Sequence, residues 1–259
     1  MQPLARRAVL RGALVALAAA GTGGCTPTPG GLDVNRWMGR DDARLSARPA
    51  PVAAPVPGPG LRELDLSPGP QAVLYVPDGP DDVPLRLVLA LHGAGGEGRG
   101  GIAPLQPFAD THRLLLLGPR SSGSTWDVVL GGWGPDVRRI DETLRQVFAT
   151  YPVDPGRLAI SGFSDGASYA LSLGLANADL FTHVIAFSPG FLAPVPRVGA
   201  PRVYLAHGRA DTVLPIDVTS RRIARRLEVE DVPTLVREFD GPHVVPAGIA
   251  EDAVRWFLG

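Results

Sequence analysis

The sequence predicts an α/β fold: a mostly parallel sheet flanked by helices. Three observations carry that prediction. From Leu61 onward, short apolar stretches alternate with amphipathic ones, the rhythm of parallel strands joined by right-handed helical crossovers. Runs such as Leu87-Val88-Leu89-Ala90-Leu91 are apolar without alternation, as a strand buried on both faces must be. Leu158-Ala159-Ile160 runs into Gly162-Phe163-Ser164-Asp165-Gly166, and a helical stretch from Ala167 to Asn177 follows.

Taken in order, Leu61–Leu66 and Ala72–Val76 read as strands close enough to form an antiparallel edge pair. Leu85–Leu91 is the most hydrophobic strand and belongs in the middle of the sheet. A helix is expected near Ile102–Thr111, then the strand Leu114–Leu117 and a long helix Pro135–Thr150. Strand Arg157–Ile160, helix Asp165–Asn177 and strand His183–Phe187 follow. Strand Arg202–Ala206, helix Ile216–Glu228, strand Thr234–Phe239 and helix Pro246–Leu258 complete the series. There is no internal repeat, no second domain and no insertion long enough for a separate lid domain.

Three segments divide the chain: an export signal over 1–25, a tether over 26–60 and a catalytic domain over 61–259. Arg6-Arg7-Ala8-Val9-Leu10-Arg11 resembles the twin-arginine pattern, and an apolar run from Gly12 to Ala20 follows that is too short to span a bilayer. The lone cysteine, Cys25, ends this stretch where bacterial lipoproteins carry the cysteine that is acylated. Thr22-Gly23-Gly24 precedes it, without the aliphatic residue the lipobox wants three places earlier, and cleavage near Ala18-Ala19-Ala20 is the rival reading. Residues 26–60 are rich in Pro, Gly and Ala and read as a semi-extended tether. The expectation is a protein exported across the cytoplasmic membrane, either anchored in the envelope through Cys25 or secreted.

Composition removes several chemistries. The 259 residues carry a net charge of −1, so no field recruits nucleic acid. All 25 basic residues are arginine, which excludes a lysine Schiff base or a Ser–Lys dyad. One cysteine forms no intramolecular disulfide and no Cys-rich metal site. No metal or organic cofactor is expected.

Gly162-Phe163-Ser164-Asp165-Gly166 fits the G-x-S-x-G nucleophile elbow, in which small residues two places either side let a tight turn raise the serine hydroxyl above the sheet. With 32 glycines in the chain the pattern alone is weak; the strand before it and the helix after it give it weight. Such a serine needs a base, and the base needs a carboxylate to fix its tautomer. Asp211 in His207-Gly208-Arg209-Ala210-Asp211 and His243 in Asp240-Gly241-Pro242-His243 both lie in loops at the carboxyl ends of strands. Asp217, within a helix, and Asp240, as a loop cap, are weaker acids for the role. His112 ends a helix, His183 begins a strand, and His207 precedes a tight glycine turn where it is read as bonding backbone. Leu91-His92-Gly93-Ala94-Gly95-Gly96 is a loop whose amides can face a developing oxyanion, with Ala94 as donor and Gly93 as second choice, alongside the amide of Asp165. A phosphate loop is set aside because the chain has no lysine to complete it.

In order along the chain, LHGAGG, PRSSGSTWD, RLAISGFSDGAS, AFSPG, HGRADTVLP and GPHVVP together resemble the α/β-hydrolases of the phospholipase/carboxylesterase type, with their polyhydroxybutyrate-depolymerase-like and feruloyl-esterase-like relatives. The resemblance covers about residues 70–258. It implies Ser164 as nucleophile, Asp211 as acid, His243 as base, and the amides of Ala94 and Asp165 as the oxyanion hole. It implies a serine esterase acting through an acyl-enzyme on a small or oligomeric ester. Two departures stand out: Asp165 where many such enzymes carry Gln, and Ala167 where a second glycine is common.

For substrate contacts, Trp126 and Trp133 lie in a loop on the expected active-site side and either wall a pocket or pack under the loop; Phe191 after Ser188-Pro189-Gly190 has the same two readings. A catalytically silent envelope lipoprotein that binds a ligand on the same fold is the rival outside enzymes. A peptidase or a polyester depolymerase is the rival within them. The sequence leaves the oligomeric state open.

Overall fold

The computed structural model describes residues 43–52, 57–65, 72–80, 83–130 and 132–259. The leader read at 1–25, with Cys25, and most of the tether read at 26–60 lie outside those residues. The described chain forms one eight-stranded sheet: β1 (Gly60–Leu64), β2 (Ala72–Val76), β3 (Leu85–Leu91), β4 (Leu114–Gly118), β5 (Val153–Phe163), β6 (His183–Phe187), β7 (Arg202–Gly208) and β8 (Thr234–Phe239). Their order across the sheet is β1-β2-β4-β3-β5-β6-β7-β8. β2 pairs antiparallel with β1 and with β4; every later pair is parallel. The expected antiparallel edge is thus present, and the fold is α/β with no separate lid domain among the described residues.

Six helices cover the sheet: α1 (Gly98–Ile102), α2 (Ala109–His112), α3 (Pro135–Thr150), α4 (Asp165–Ala176), α5 (Ser220–Val229) and α6 (Ala247–Leu258). The period of two along β3 explains which face each helix takes. Leu85, Leu87, Leu89 and Leu91 point to one core with Val137, Ile140 and Leu144 of α3, Leu171 of α4 and Leu227 of α5. Val88 and Ala90 point to the other, with Ile102 of α1, Ala109 of α2 and Val254 and Phe257 of α6. Both faces are covered, so β3 has no need of polar alternation.

Three elements differ from expectation, each for a local reason. The helix expected over Ile102–Thr111 is two short helices with a 3₁₀ turn, Gln106–Phe108, between them; Pro107 there has no N–H to continue the ladder. The helix expected from Ile216 is a 3₁₀ turn, Ile216–Val218, then α5, with a break at Thr219. The strand expected over Arg157–Ile160 starts at Val153, with a register irregularity in between: Leu85 pairs with Val153 and Leu87 with Leu158.

The tether reading needs correction over residues 43–48, which are docked on the domain. Ala43, Leu45 and Ala47 are buried in the core on the α3 and α4 side. Asn177 accepts the Leu45 N–H at 2.8 Å and donates to the Ala43 carbonyl at 2.7 Å. Asp141 accepts the N–H groups of Ser46 and Ala47 at 2.8 and 2.7 Å and the Ser46 hydroxyl at 2.8 Å. Those bonds, with Arg145 beside it, outweigh burial and hold the Asp141 carboxyl below its usual range. Arg44 and Arg48 both reach Asp179. Alternating apolar and polar residues, Ala43-Arg44-Leu45-Ser46-Ala47, are the sequence signal for this strap, and the surrounding Pro-rich composition hides it.

Removing the strap leaves the buried Asp141 and Asn177 without these partners. A chain beginning at Leu61 should therefore melt about 5–10 °C below one beginning at Ala43, the effect of ~2–3 kcal/mol in a domain of this size. Thermal unfolding followed by circular dichroism checks this, and equal melting temperatures would show that the strap contributes nothing.

Candidate active site

The turn from β5 into α4 sets the site. Ser164 sits at φ 56°, ψ −119°, a backbone conformation rare for any residue but glycine. Its N–H donates to the Phe187 carbonyl at 2.9 Å, and its carbonyl accepts the N–H groups of Ala167 and Ser168 at 3.0 and 3.1 Å. The two glycines of the elbow are required by contact. A methyl group on Gly162 would overlap the Gly166 carbonyl, and one on Gly166 would overlap the carbonyls of Leu91 and His92. The end of β3 therefore lies directly against the elbow.

Ser164, His243 and Asp211 come together across three loops. His243 Nε2 lies 3.0 Å from Ser164 Oγ, and His243 Nδ1 lies 2.6 Å from Asp211 Oδ2. With the imidazole proton on Nδ1 donated to the carboxylate, Nε2 is free to accept from the serine hydroxyl. The Asp211 side chain is fully buried and that of His243 is 14 % exposed. Burial alone would raise the Asp211 pKa; the N–H groups of Leu214 and Val213, at 2.8 and 2.9 Å from Oδ1, and His243 hold it below the usual carboxylate range. The rival acids are elsewhere: Asp217 pairs with Arg221 and Asp240 with Arg209, both at the exposed surface.

The loop after β3 approaches the serine closely; a methyl group on Gly93 would stand 3.4 Å from Ser164 Cβ. Gly95 donates its N–H to Ser124 O at 2.6 Å and Gly96 to Gly93 O at 3.0 Å. The Ala94 amide donates to no backbone carbonyl among the described residues, and neither does that of Asp165, the first residue of α4. Both candidate oxyanion donors are thus uncommitted. The Asp165 carboxylate accepts a hydrogen bond from Thr125 Oγ1 at 2.7 Å.

The aromatic candidates divide. Trp126 has no exposed surface: its indole N–H donates to the His92 carbonyl at 2.9 Å, and its ring packs 4.8 Å from His92 and 5.1 Å from Tyr169. Trp133 is buried edge-on against Tyr169, with ring centres 5.2 Å apart. Both pack beneath the loop rather than wall an open pocket, the second of the two readings the sequence left open for this pair. Phe191 is half-buried, and its N–H lies 3.3 Å from Ser168 Oγ.

His92 has a role the sequence did not single out. Its Nε2 accepts the Ser121 N–H at 3.1 Å, so its Nδ1 carries the proton and donates to the Gly93 carbonyl at 2.8 Å. Burial lowers its pKa, which keeps that neutral tautomer. The supporting loop is closed by a reciprocal pair: Asp127 N–H donates to Asp136, and Asp136 N–H to Asp127, at 2.8 and 2.9 Å. Burial pushes the Asp127 carboxyl up to about 6. The sequence signal for these braces is position alone, in motifs beside the glycine loop. Among the described residues no group of His, Cys, Asp and Glu is arranged to hold a metal ion.

Trp126→Phe keeps the ring contacts and removes the bond to His92. It should lower stability by about 1–2 kcal/mol, the cost of leaving one buried carbonyl unpaired. Urea denaturation checks this, and an unchanged midpoint would remove the indole N–H from the brace.

A family model described as "Putative esterase" matches residues 139–225, from α3 into α5, a segment holding Ser164 and Asp211. A protein named probable feruloyl esterase C from Aspergillus oryzae is 28% identical over 154 residues, 56% of this chain and 56% of that one. Its namesake from Aspergillus clavatus is 31% identical over 158 residues, 58% and 57% of the two chains. The chain thus spans little more than half the length of the curated relatives it matches. Among solved structures, an S-formylglutathione hydrolase from Staphylococcus aureus superposes with a TM-score of 0.61 at 15% identity, covering 77% of this chain and 99% of that one. By sheet order and by these likenesses, the chain has the α/β-hydrolase fold and resembles serine esterases.

Proposed function

We propose that the protein hydrolyses carboxylic esters through an acyl-enzyme on Ser164. The observation that carries this reading is the hydrogen-bonded line Ser164–His243–Asp211; the amides of Ala94 and Asp165, which donate to no backbone carbonyl among the described residues, support it. Ser164 Oγ attacks the ester carbonyl while His243 Nε2 takes its proton. The tetrahedral oxyanion is held by the amides of Ala94 and Asp165, each such donor supporting the rate by roughly 100- to 1,000-fold. His243 then gives the proton to the leaving alcohol as the carbon–oxygen bond breaks. Water, deprotonated by His243, attacks the acyl carbon, and the acid leaves as the proton returns to Ser164. Asp211 holds the imidazole tautomer and stabilises the imidazolium; buried and held by two amides, it stays ionised to do so.

Because the curated relatives are named as feruloyl esterases, feruloyl esters stand beside simple acyl esters in the first substrate panel. Val213 and Val244, each two residues or fewer from a member of the line, are 64% and 44% exposed and offer apolar surface to an acyl or aryl group. We further propose that the chain is exported and acylated at Cys25; the twin-arginine-like run and the position of the cysteine at the end of the apolar stretch support that reading.

Ser164→Ala should fold and lose both ester hydrolysis, by several orders of magnitude, and labelling by a fluorophosphonate probe. A wild-type chain that neither labels nor hydrolyses p-nitrophenyl esters would point to the ligand-binding reading instead. Asp211→Asn should lose on the order of 10⁴-fold in kcat, whereas Asp217→Asn and Asp240→Asn, whose partners are surface arginines, should lose less than about 3-fold in parallel assays. Greater damage in either surface variant would move the acid. Labelled palmitate should enter the full chain in its host and fail to enter Cys25→Ala; a mature N-terminus near Gly21 without acylation would make the protein secreted.

A further inference from the structure

Asp211 carries two histidines, and only one of them reaches the serine. His207 ends β7 and is buried, with Nε2 3.0 Å from Asp211 Oδ2, the oxygen that also meets His243 Nδ1 at 2.6 Å. The same Nε2 lies 2.8 Å from the Leu214 carbonyl. Its other ring nitrogen, Nδ1, lies 2.6 Å from Ser220 Oγ. The partners fix the tautomer. Nε2 faces two oxygens that only accept, so it bears the proton. Burial holds the His207 pKa below its ordinary value, which disfavours a second proton. Nδ1 is therefore an acceptor, and the Ser220 hydroxyl donates to it.

The contacts around Asp211 give this arrangement a purpose. One carboxylate oxygen is pinned by the N–H groups of Val213 and Leu214. The Leu214 carbonyl is gripped in turn by His207. His207 thus fastens the turn that fastens the acid, and it also lies against the acid's second oxygen. A core histidine serving packing alone has no need to share that oxygen with His243.

We propose that His207, locked by Ser220 as its Nε2–H tautomer, is a positioning residue for the hydrolysis, holding Asp211 ionised and aimed at His243. The inference rests on the triad reading above. It extends the line Ser164–His243–Asp211 by two groups that touch no reacting atom.

The test uses His207→Leu, His207→Gln and Ser220→Ala in the full chain. Three quantities are read: the rate at which a fluorophosphonate labels Ser164, kcat and KM on p-nitrophenyl acetate, and the strongly deshielded proton NMR signal of the short His243–Asp211 bond. His207→Leu should lower labelling and kcat by roughly 10- to 100-fold, the usual effect of losing a group that orients a working ligand, with KM nearly unchanged and the NMR signal lost. His207→Gln, which keeps an N–H for the same acceptors, should recover most of the rate and the signal. Ser220→Ala should lose several-fold in kcat. A folded His207→Leu with wild-type labelling overturns the proposal while leaving the triad reading intact, and so does a His207→Gln no better than an equally stable His207→Leu. If His207→Leu does not fold, Ser220→Ala decides, and wild-type kcat with an intact signal overturns it. A wild-type chain that fails to label refutes the triad reading and this inference together.

Discussion

The close approach of three backbone segments at the β5–α4 turn governs the rest of the structure. Gly162, Gly166 and the carbonyls at the end of β3 leave no room for a side chain between them. That crowding forces Ser164 into a left-handed conformation, at a cost of about 1–3 kcal/mol. The cost is met by the contacts on either side: the Ser164 N–H to β6, its carbonyl to α4, and a core buried on both faces of β3. From this constraint come the position of the hydroxyl, the orientation of the Asp165 amide and the nearness of the glycine loop. Sequence, strain and site are one feature seen at three scales.

A parallel sheet with right-handed crossovers gathers the loops after β3, β5, β7 and β8 at one edge. The Gly93–Ala94 loop, Ser164, Asp211 and His243 each come from a different one of these, so no local sequence stretch contains the site. The electrostatic problem this creates is a buried carboxylate. Burial of Asp211 would push it toward its neutral form, in which it could not stabilise an imidazolium. Two backbone amides on one oxygen and His243 on the other offset that. The turn Asp211-Thr212-Val213-Leu214 is therefore as much a part of the acid as the side chain itself.

Much of this was legible in the sequence because its signals were local. Ala72–Val76, Leu85–Leu91, His183–Phe187, Thr234–Phe239 and Pro135–Thr150 are strands and a helix at the bounds their patterns give, since each is an apolar or amphipathic run ended by a clear breaker. The meeting of Ser164, Asp211 and His243 was also anticipated, from order along the chain and from loops at strand ends. What was illegible depends on partners distant in sequence. Trp126 in a loop reads equally as a pocket wall or as packing beneath the loop; only the position of the His92 carbonyl decides for the second. The strand expected over Arg157–Ile160 begins at Val153, and only the distant pairing of Val153 with Leu85 extends it there. His207 was read as bonding backbone, which it does at Leu214, but its contact with Asp211 requires the loop to fold back on it.

The strap shows the same dependence from the other end of the helix that follows Ser164. α4 begins at Asp165, wedged against Leu91 and His92, and ends at Ala176. Just past that end, Asn177 donates to Leu173 O within the helix and to Ala43 O of the strap, while its carbonyl oxygen takes the Leu45 N–H. Arg44 reaches the Ala176 carbonyl, one of the acceptors a helix end leaves unpaired. One polar side chain with one arginine thus ties carbonyls of the last turn to a segment more than 130 residues earlier in the chain. A helix that holds a strained serine at its first turn is gripped at its last, so the N-terminal segment belongs to the framework of the site although it contributes no group to the chemistry.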